Sequence, residues 1–297
     1  MARARVVLVH GIRTSATMWR AQLDALARHD VEAVAVDLPG HGSRIGEPFT
    51  LDAAIGTIAD ALRPDSLDAG PLRPDSHRAD ALRPDSLRGD TTSDGDATPG
   101  GGDGPAAPRS PTPRLLVGLS LGGYLAVEAA ARHPVLLDGL VAASCGTRPR
   151  GVGLRGYLAL ADAIGRLPDR GRRLNDGFVR LMLSPAAARD VVAGGVALDV
   201  MRPALTAVGT IDLEASLRAV RCPVWLVNGR LDHFRLEERR LAGAVADGRL
   251  VVVPGATHLV SLSRPEAFTA VVLDAVAELE RRAAVRPRSP RSDRSGR

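Results

Sequence analysis

Lysine is absent from the 297-residue chain, whose 39 basic residues are all arginine; we read this as a compositional bias of the encoding DNA rather than as chemistry. Aromatic residues are scarce, at 3%, so a ligand pocket has to be walled mainly by Leu, Val, Ala and Met, with Trp19, Tyr124, Tyr157 and Phe178 as the few flat surfaces. The two cysteines, Cys145 and Cys222, are far apart and lack any CxxC or Cys/His spacing, which argues against a metal centre and for buried thiols. No apolar run approaches the roughly 20 residues that span a bilayer, and Val6–Val9 is shorter than the apolar core of about 7–15 residues in a secretory leader. These absences predict a soluble, cytoplasmic protein without a membrane partner or a metal. They leave the oligomeric state open.

Charge is unevenly spread. Residues 281–297 hold seven arginines against one aspartate, so the formal net charge of +5 belongs to this end and the rest of the chain is close to neutral. The Arg/Ser/Pro-rich stretch 285–297 is predicted to be a disordered basic tail, and it gives no reason to expect a nucleic-acid partner. A second stretch, 63–113, loses all apolar periodicity and repeats LRPDSLDAG, LRPDSHRAD and LRPDSLRGD before a Gly/Pro/Asp-rich run. With so few apolar groups to offset ordering entropy, it is predicted to be a disordered low-complexity insert.

The remainder alternates two signals. VVLVH (6–10), VEAVAVD (31–37), RLLVGL (114–119), LVAAS (140–144), VWLVNG (224–229) and RLVVVPG (249–255) are short, nearly continuous apolar runs, as in strands buried on both faces of a parallel sheet. Between them lie amphipathic helical stretches, among them 19–28, 51–62, 122–132 and 265–281. The alternation predicts an α/β fold, a doubly wound and mostly parallel sheet of about six strands, with ligands at the carboxyl ends of the strands.

At one of those ends stands Gly118-Leu119-Ser120-Leu121-Gly122, a GxSxG turn with a strand before it and a helix after it. Glycines two positions either side of the serine permit a turn too sharp for side chains there. A serine hydroxyl needs a base, and the base an acid to hold its tautomer. Asp232 follows the strand VWLVNG and His258 follows the last strand, which completes a candidate triad Ser120, Asp232, His258. His233 directly follows Asp232 and shares its loop, so His258 is the expected base. The developing oxyanion needs two backbone N–H donors; Leu121, after the nucleophile, and Ile12, in the turn His10-Gly11-Ile12-Arg13 after the first strand, are the expected pair.

These stretches, with AVDLPGHGSR and VPGATHLVSLSRPEAF, resemble the α/β-hydrolase superfamily, in its small serine esterase-like branch with a helical cap. The resemblance covers a core of residues 1–62, 114–146 and 212–284, and implies that 147–211 forms the cap, with helical runs near 156–167 and 176–183. That family commonly opens with an antiparallel hairpin, whereas here the first strand follows Met1 almost directly, so a sheet of about six strands is expected. Serine rather than aspartate at the elbow favours acyl transfer over dehalogenase or epoxide-hydrolase chemistry, with no cofactor. The resemblance implies a carboxylic ester substrate; an acyltransferase, a carbon–carbon bond hydrolase and a noncatalytic ligand-binding protein on the same scaffold stay open. Arg13, Trp19 and Tyr124 are candidate substrate contacts. Ten arginines against five aspartates in 147–211 would favour an anionic or carrier-bound ester.

Overall fold

The computed structural model describes residues 3–63 and 112–285. The insert expected at 63–113 and the tail expected at 285–297 fall, apart from their end residues, outside the described residues. Six strands, β1 (Arg5–Val9), β2 (Glu32–Val36), β3 (Arg114–Leu119), β4 (Gly139–Ala143), β5 (Val224–Gly229) and β6 (Gly248–Val253), form one sheet in the order β2-β1-β3-β4-β5-β6. Every pairing is parallel. β1, β3, β4 and β5 are buried along their whole length, which is why they read as continuous rather than alternating apolar runs.

Eleven helices cover the described chain: α1 (Arg20–Ala27), α2 (Leu51–Leu62), α3 (Leu121–Arg132), α4 (Gly151–Gly165), α5 (Arg172–Met182), α6 (Pro185–Ala193), α7 (Met201–Val208), α8 (Leu213–Ala219), α9 (Glu238–Gly243), α10 (Val260–Ser263) and α11 (Pro265–Val285). One core layer joins a sheet face to α2, α3, α8 and α9 through Ile55, Ile58, Leu125, Leu217 and Leu241. The other joins the opposite face to α1 and α11 through Leu23, Leu26, Phe268 and Val272. Burying helices on both faces is what makes the sheet doubly wound. Thr50, Ser184 and Asp212 cap α2, α6 and α8 by accepting the backbone N–H three residues on, satisfying donors that a helix start leaves unpaired.

Segment 147–211 carries α4 to α7. Two of them correspond to the helical runs read from the sequence, though each begins four or five residues earlier; α6 and α7, only nine and eight residues long, are too short for a clear periodic signal. Among the described residues no helix is long and apolar enough to cross a membrane.

Topology places the site. After β2 the chain crosses β1 to build β3 and then continues away from β2, so the loops after β1 and β3 diverge around a crevice at the carboxyl ends of the strands. At the opposite ends, two buried arginines brace the place where the chain leaves and re-enters the described core. Arg5 donates to the carbonyls of Arg63 and Ala61, each at 2.8 Å, and Arg114 to that of Leu62 at 3.2 Å.

Candidate active site

Ser120 sits between β3 and α3 with φ +54° and ψ −115°, a conformation that costs a non-glycine residue on the order of 1–3 kcal/mol. The turn holds because its neighbours are glycines. A Cβ on Gly118 would lie 2.1 Å from the Gly122 carbonyl oxygen, and one on Gly122 would lie 2.3 Å from that of Val9. The Ser120 N–H donates to Ala143 of β4 at 2.8 Å, and its carbonyl accepts from Tyr124 at 3.1 Å to start α3. The serine therefore stands at the head of a helix, where the dipole favours negative charge.

The loops after β5 and β6 bring the other two residues to it. Gly229 lets them touch, since a Cβ there would lie 2.2 Å from the Thr257 carbonyl oxygen. Arg230 and Leu231 donate backbone bonds to Val253 and Ala256. The backbone of His258 is held by Ser144, at the end of β4, whose hydroxyl donates to the His258 carbonyl at 2.6 Å. The imidazole then spans the gap: Nε2 lies 2.9 Å from Ser120 Oγ and Nδ1 lies 2.9 Å from Asp232 Oδ1. Asp232 is buried, and the same oxygen accepts the Phe234 N–H at 2.8 Å. Burial alone would raise its carboxyl pKa, but the His258 hydrogen bond and charge, aided by the Phe234 N–H, lower it below the usual carboxylate range. An ionised Asp232 can only accept, so the proton between them belongs to Nδ1 and Nε2 offers a lone pair to the serine hydroxyl.

The turn after β1 is fixed by buried histidine. His10 Nε2 accepts the Leu38 N–H at 3.1 Å, so Nδ1 carries the proton and donates to the Gly11 carbonyl at 2.8 Å. Thr14 Oγ1 donates to the same carbonyl at 2.8 Å. Because the C=O and N–H of one peptide point in opposite directions, anchoring Gly11 C=O turns the Ile12 N–H the other way. Gly11 lies against the elbow, where a Cβ would be 3.7 Å from that of Ser120. Among the described residues no backbone carbonyl accepts from the N–H of Ile12 or of Leu121.

The three candidate contacts separate. Trp19, in the turn leading into α1, is completely buried, its ring 5.9 Å from Phe268 of α11; it is a core residue, and the amphipathic pattern read over 19–28 does not distinguish the two roles. Tyr124 is buried with its hydroxyl donated to the Thr147 carbonyl at 2.7 Å, so it braces the chain leaving β4. Arg13, with φ +62°, reaches to the Arg170 carbonyl at 3.1 Å and ties the loop after β1 to segment 147–211. Phe234, two residues after Asp232, carries no sequence signal for the site; its ring lies 4.9 Å from His258 and 5.2 Å from Tyr157 of α4. His233 is largely exposed, its ring 5.1 Å from His258, and Asp232, His233 and His258 offer ligand atoms within 4.8 Å of one another. Cys145 is a buried thiol pushed up to about 12 by burial and by Asp232.

Residues 6–271 match the model of a family described as "Alpha/beta hydrolase family". The chain is 30% identical over 295 residues to a pimeloyl-[acyl-carrier protein] methyl ester esterase of Neisseria meningitidis serogroup C, covering 92% of this chain and 93% of that one. It is 31% identical over 177 residues to RutD of Caulobacter sp. strain K31, which carries the name of a carbamate hydrolase, covering 54% of this chain and 63% of RutD, less than two thirds of that relative. Among solved structures, a malate-bound thermophilic esterase from Thermogutta terrifontis superposes with a TM-score of 0.66 at 20% identity, covering 94% of this chain and 91% of that one; this last likeness concerns the fold.

Proposed function

The chain belongs to the alpha/beta hydrolase family and is an esterase-like hydrolase; from that premise we propose that it cleaves carboxylic esters through a Ser120–His258–Asp232 triad and an acyl-enzyme. The observation that carries the reading is the unbroken path Ser120 Oγ–His258–Asp232 at 2.9 Å and 2.9 Å. His258 Nε2 takes the serine proton as Oγ attacks the ester carbonyl. Asp232 holds the imidazole tautomer and offsets the charge that then forms on the ring. The N–H groups of Ile12 and Leu121 receive the oxyanion. His258 returns its proton to the leaving alkoxide, and a water activated by the same nitrogen releases the acid.

Segment 147–211 serves as the cap. Tyr157 against Phe234, and Arg13 against Arg170, put its helices beside His258 and beside the loop after β1. Its net positive charge, together with a relative named for esters on an acyl-carrier protein, supports a substrate that is anionic or bound to an acidic carrier. Labelling with a fluorophosphonate and turnover of a short p-nitrophenyl ester test the reading. Ser120→Ala should abolish labelling and lower kcat/KM by roughly 10³ or more, with His258→Ala comparable. His233→Ala should change turnover little. A protein that hydrolyses no ester and takes no label would refute the proposal.

A further inference from the structure

We infer that Asp232, His233 and His258 form a site for a borderline transition-metal ion, Zn²⁺ or Cu²⁺, whose occupation switches hydrolysis off. The donor set is two imidazoles and one carboxylate, which suits these ions and not Mg²⁺ or Ca²⁺, whose ligands are oxygens. The geometry is close. His258 Nδ1 lies 2.9 Å and His233 Nδ1 3.9 Å from Asp232 Oδ1, whereas ligands about 2.1 Å from a tetrahedral ion stand roughly 3.4 Å apart. The Asp232–His258 pair has to open and the Asp232–His233 pair to close by about 0.5 Å each, and the two imidazole nitrogens, within 4.8 Å of each other, have to draw together as well. His233 can supply that movement, because its side chain is 61% exposed and no hydrogen bond holds it among the described residues. Asp232 Oδ1 now accepts the Nδ1–H of His258 and the Phe234 N–H; the ion takes the place of the first and leaves the second intact. The exposed flank of His233 leaves the fourth corner to water.

The silencing follows from the imidazole. In the metal-free protein the His258 proton is on Nδ1, donated to Asp232. An ion bound at Nδ1 needs that lone pair, so the proton moves to Nε2; the ring stays neutral and no proton is gained or lost overall. An Nε2–H can donate to Ser120 Oγ but cannot accept its proton, and the serine loses its base. This consequence rests on the triad proposed above, whereas the binding itself does not.

Untagged Ser120→Ala protein keeps the ligand set without turnover, and separates the two. Titration with Zn²⁺ by calorimetry and with Co²⁺ by visible absorption should show one ion per chain. His233→Phe keeps a ring against Phe234 and His258 but loses a ligand. Loss of a mere supporting partner costs a metal site about 10–100-fold in affinity, so loss of this ligand should cost at least tenfold. Wild-type ester hydrolysis should fall with Zn²⁺ and return with a chelator, while His233→Phe keeps its basal rate and resists at least tenfold more Zn²⁺. His233→Gln provides a second variant should the phenylalanine disturb the loop. No binding by Ser120→Ala protein, or equal binding after His233 is replaced, overturns the site. Histidine-dependent binding in a protein without esterase activity would instead overturn the triad reading and leave the site standing.

Discussion

Gly122→Ala is the most informative single substitution in the site, because it adds one methyl group and no new chemistry. The added Cβ would meet the Val9 carbonyl oxygen at 2.3 Å and that of His10 at 2.6 Å, against the 3.4 Å at which ordinary contact begins. Both obstacles are backbone and cannot swing aside, so α3 and the end of β1 have to part by about 1 Å. That is the junction holding Leu121 N–H on one side and the Gly11–Ile12 peptide on the other. Misplacing a reacting geometry by about 1 Å costs on the order of 10² in rate, and overpacking costs about 1–3 kcal/mol of stability, which for a domain of this size lowers Tm by roughly 2–12 °C. The assay is kcat/KM for a p-nitrophenyl ester beside a thermal melt. Gly56→Ala is the control: it too lies in a helix, nothing stands within 4 Å of its added Cβ, and it should stabilise by about 0.5–1 kcal/mol without touching turnover. A Gly122→Ala protein that keeps its rate within twofold would refute the idea that this close approach holds the two donors in register.

Acid sensitivity offers a separate check. Burial, and then the neighbouring His10, depress His41 to about 3, so the folded protein keeps it neutral while the unfolded chain protonates it near 6.5; its contribution is whole above about 6.5 and is lost at roughly 1.4 kcal/mol per pH unit as pH falls towards 3. Urea unfolding of His41→Gln between pH 7 and 4 should show a shallower loss by about that slope, and an unchanged slope would contradict it. Joining Arg63 to Thr112 through a short Gly/Ser link in place of 64–111 should leave Tm and esterase activity nearly unchanged, since each doubling of a flexible loop costs only about 0.6 kcal/mol; a large loss of soluble yield would show that the segment packs on the core. A matched pair of anionic and neutral esters should differ in kcat/KM at about 20 mM salt and converge towards 500 mM, because steering charges are screened over a Debye length of about 10 Å at 0.1 M; a preference indifferent to salt would rule out surface steering.

Local patterns carried most of the fold. β3 and β5 match their sequence ranges residue for residue because strands buried on both faces leave uninterrupted apolar runs, and the boxed Ser120 is legible because its turn depends on residues two positions away. Asp232 and His258 could be read from their position after strands, without any knowledge of distance. Contacts between remote segments could not. Nothing near Arg13 points to the Arg170 carbonyl, and nothing near Ser144 says that its hydroxyl meets the backbone of His258, since each pairing depends on how two loops fold back. Trp19 illustrates the limit from the other side: a helix shows which residues face inward, but not whether they meet a cavity or a second helix.

The arginine braces at Arg5 and Arg114 have a consequence for the use of the chain. They clamp both stems at the amino ends of β1 and β3, while the serine stands at the carboxyl end of β3. A change in the length of the sequence between the stems therefore need not displace the strand end that carries Ser120. The same arrangement makes this position a natural port for grafting: a foreign domain with adjacent termini, spliced between residues 63 and 112, would be displayed on the pole opposite Ser120.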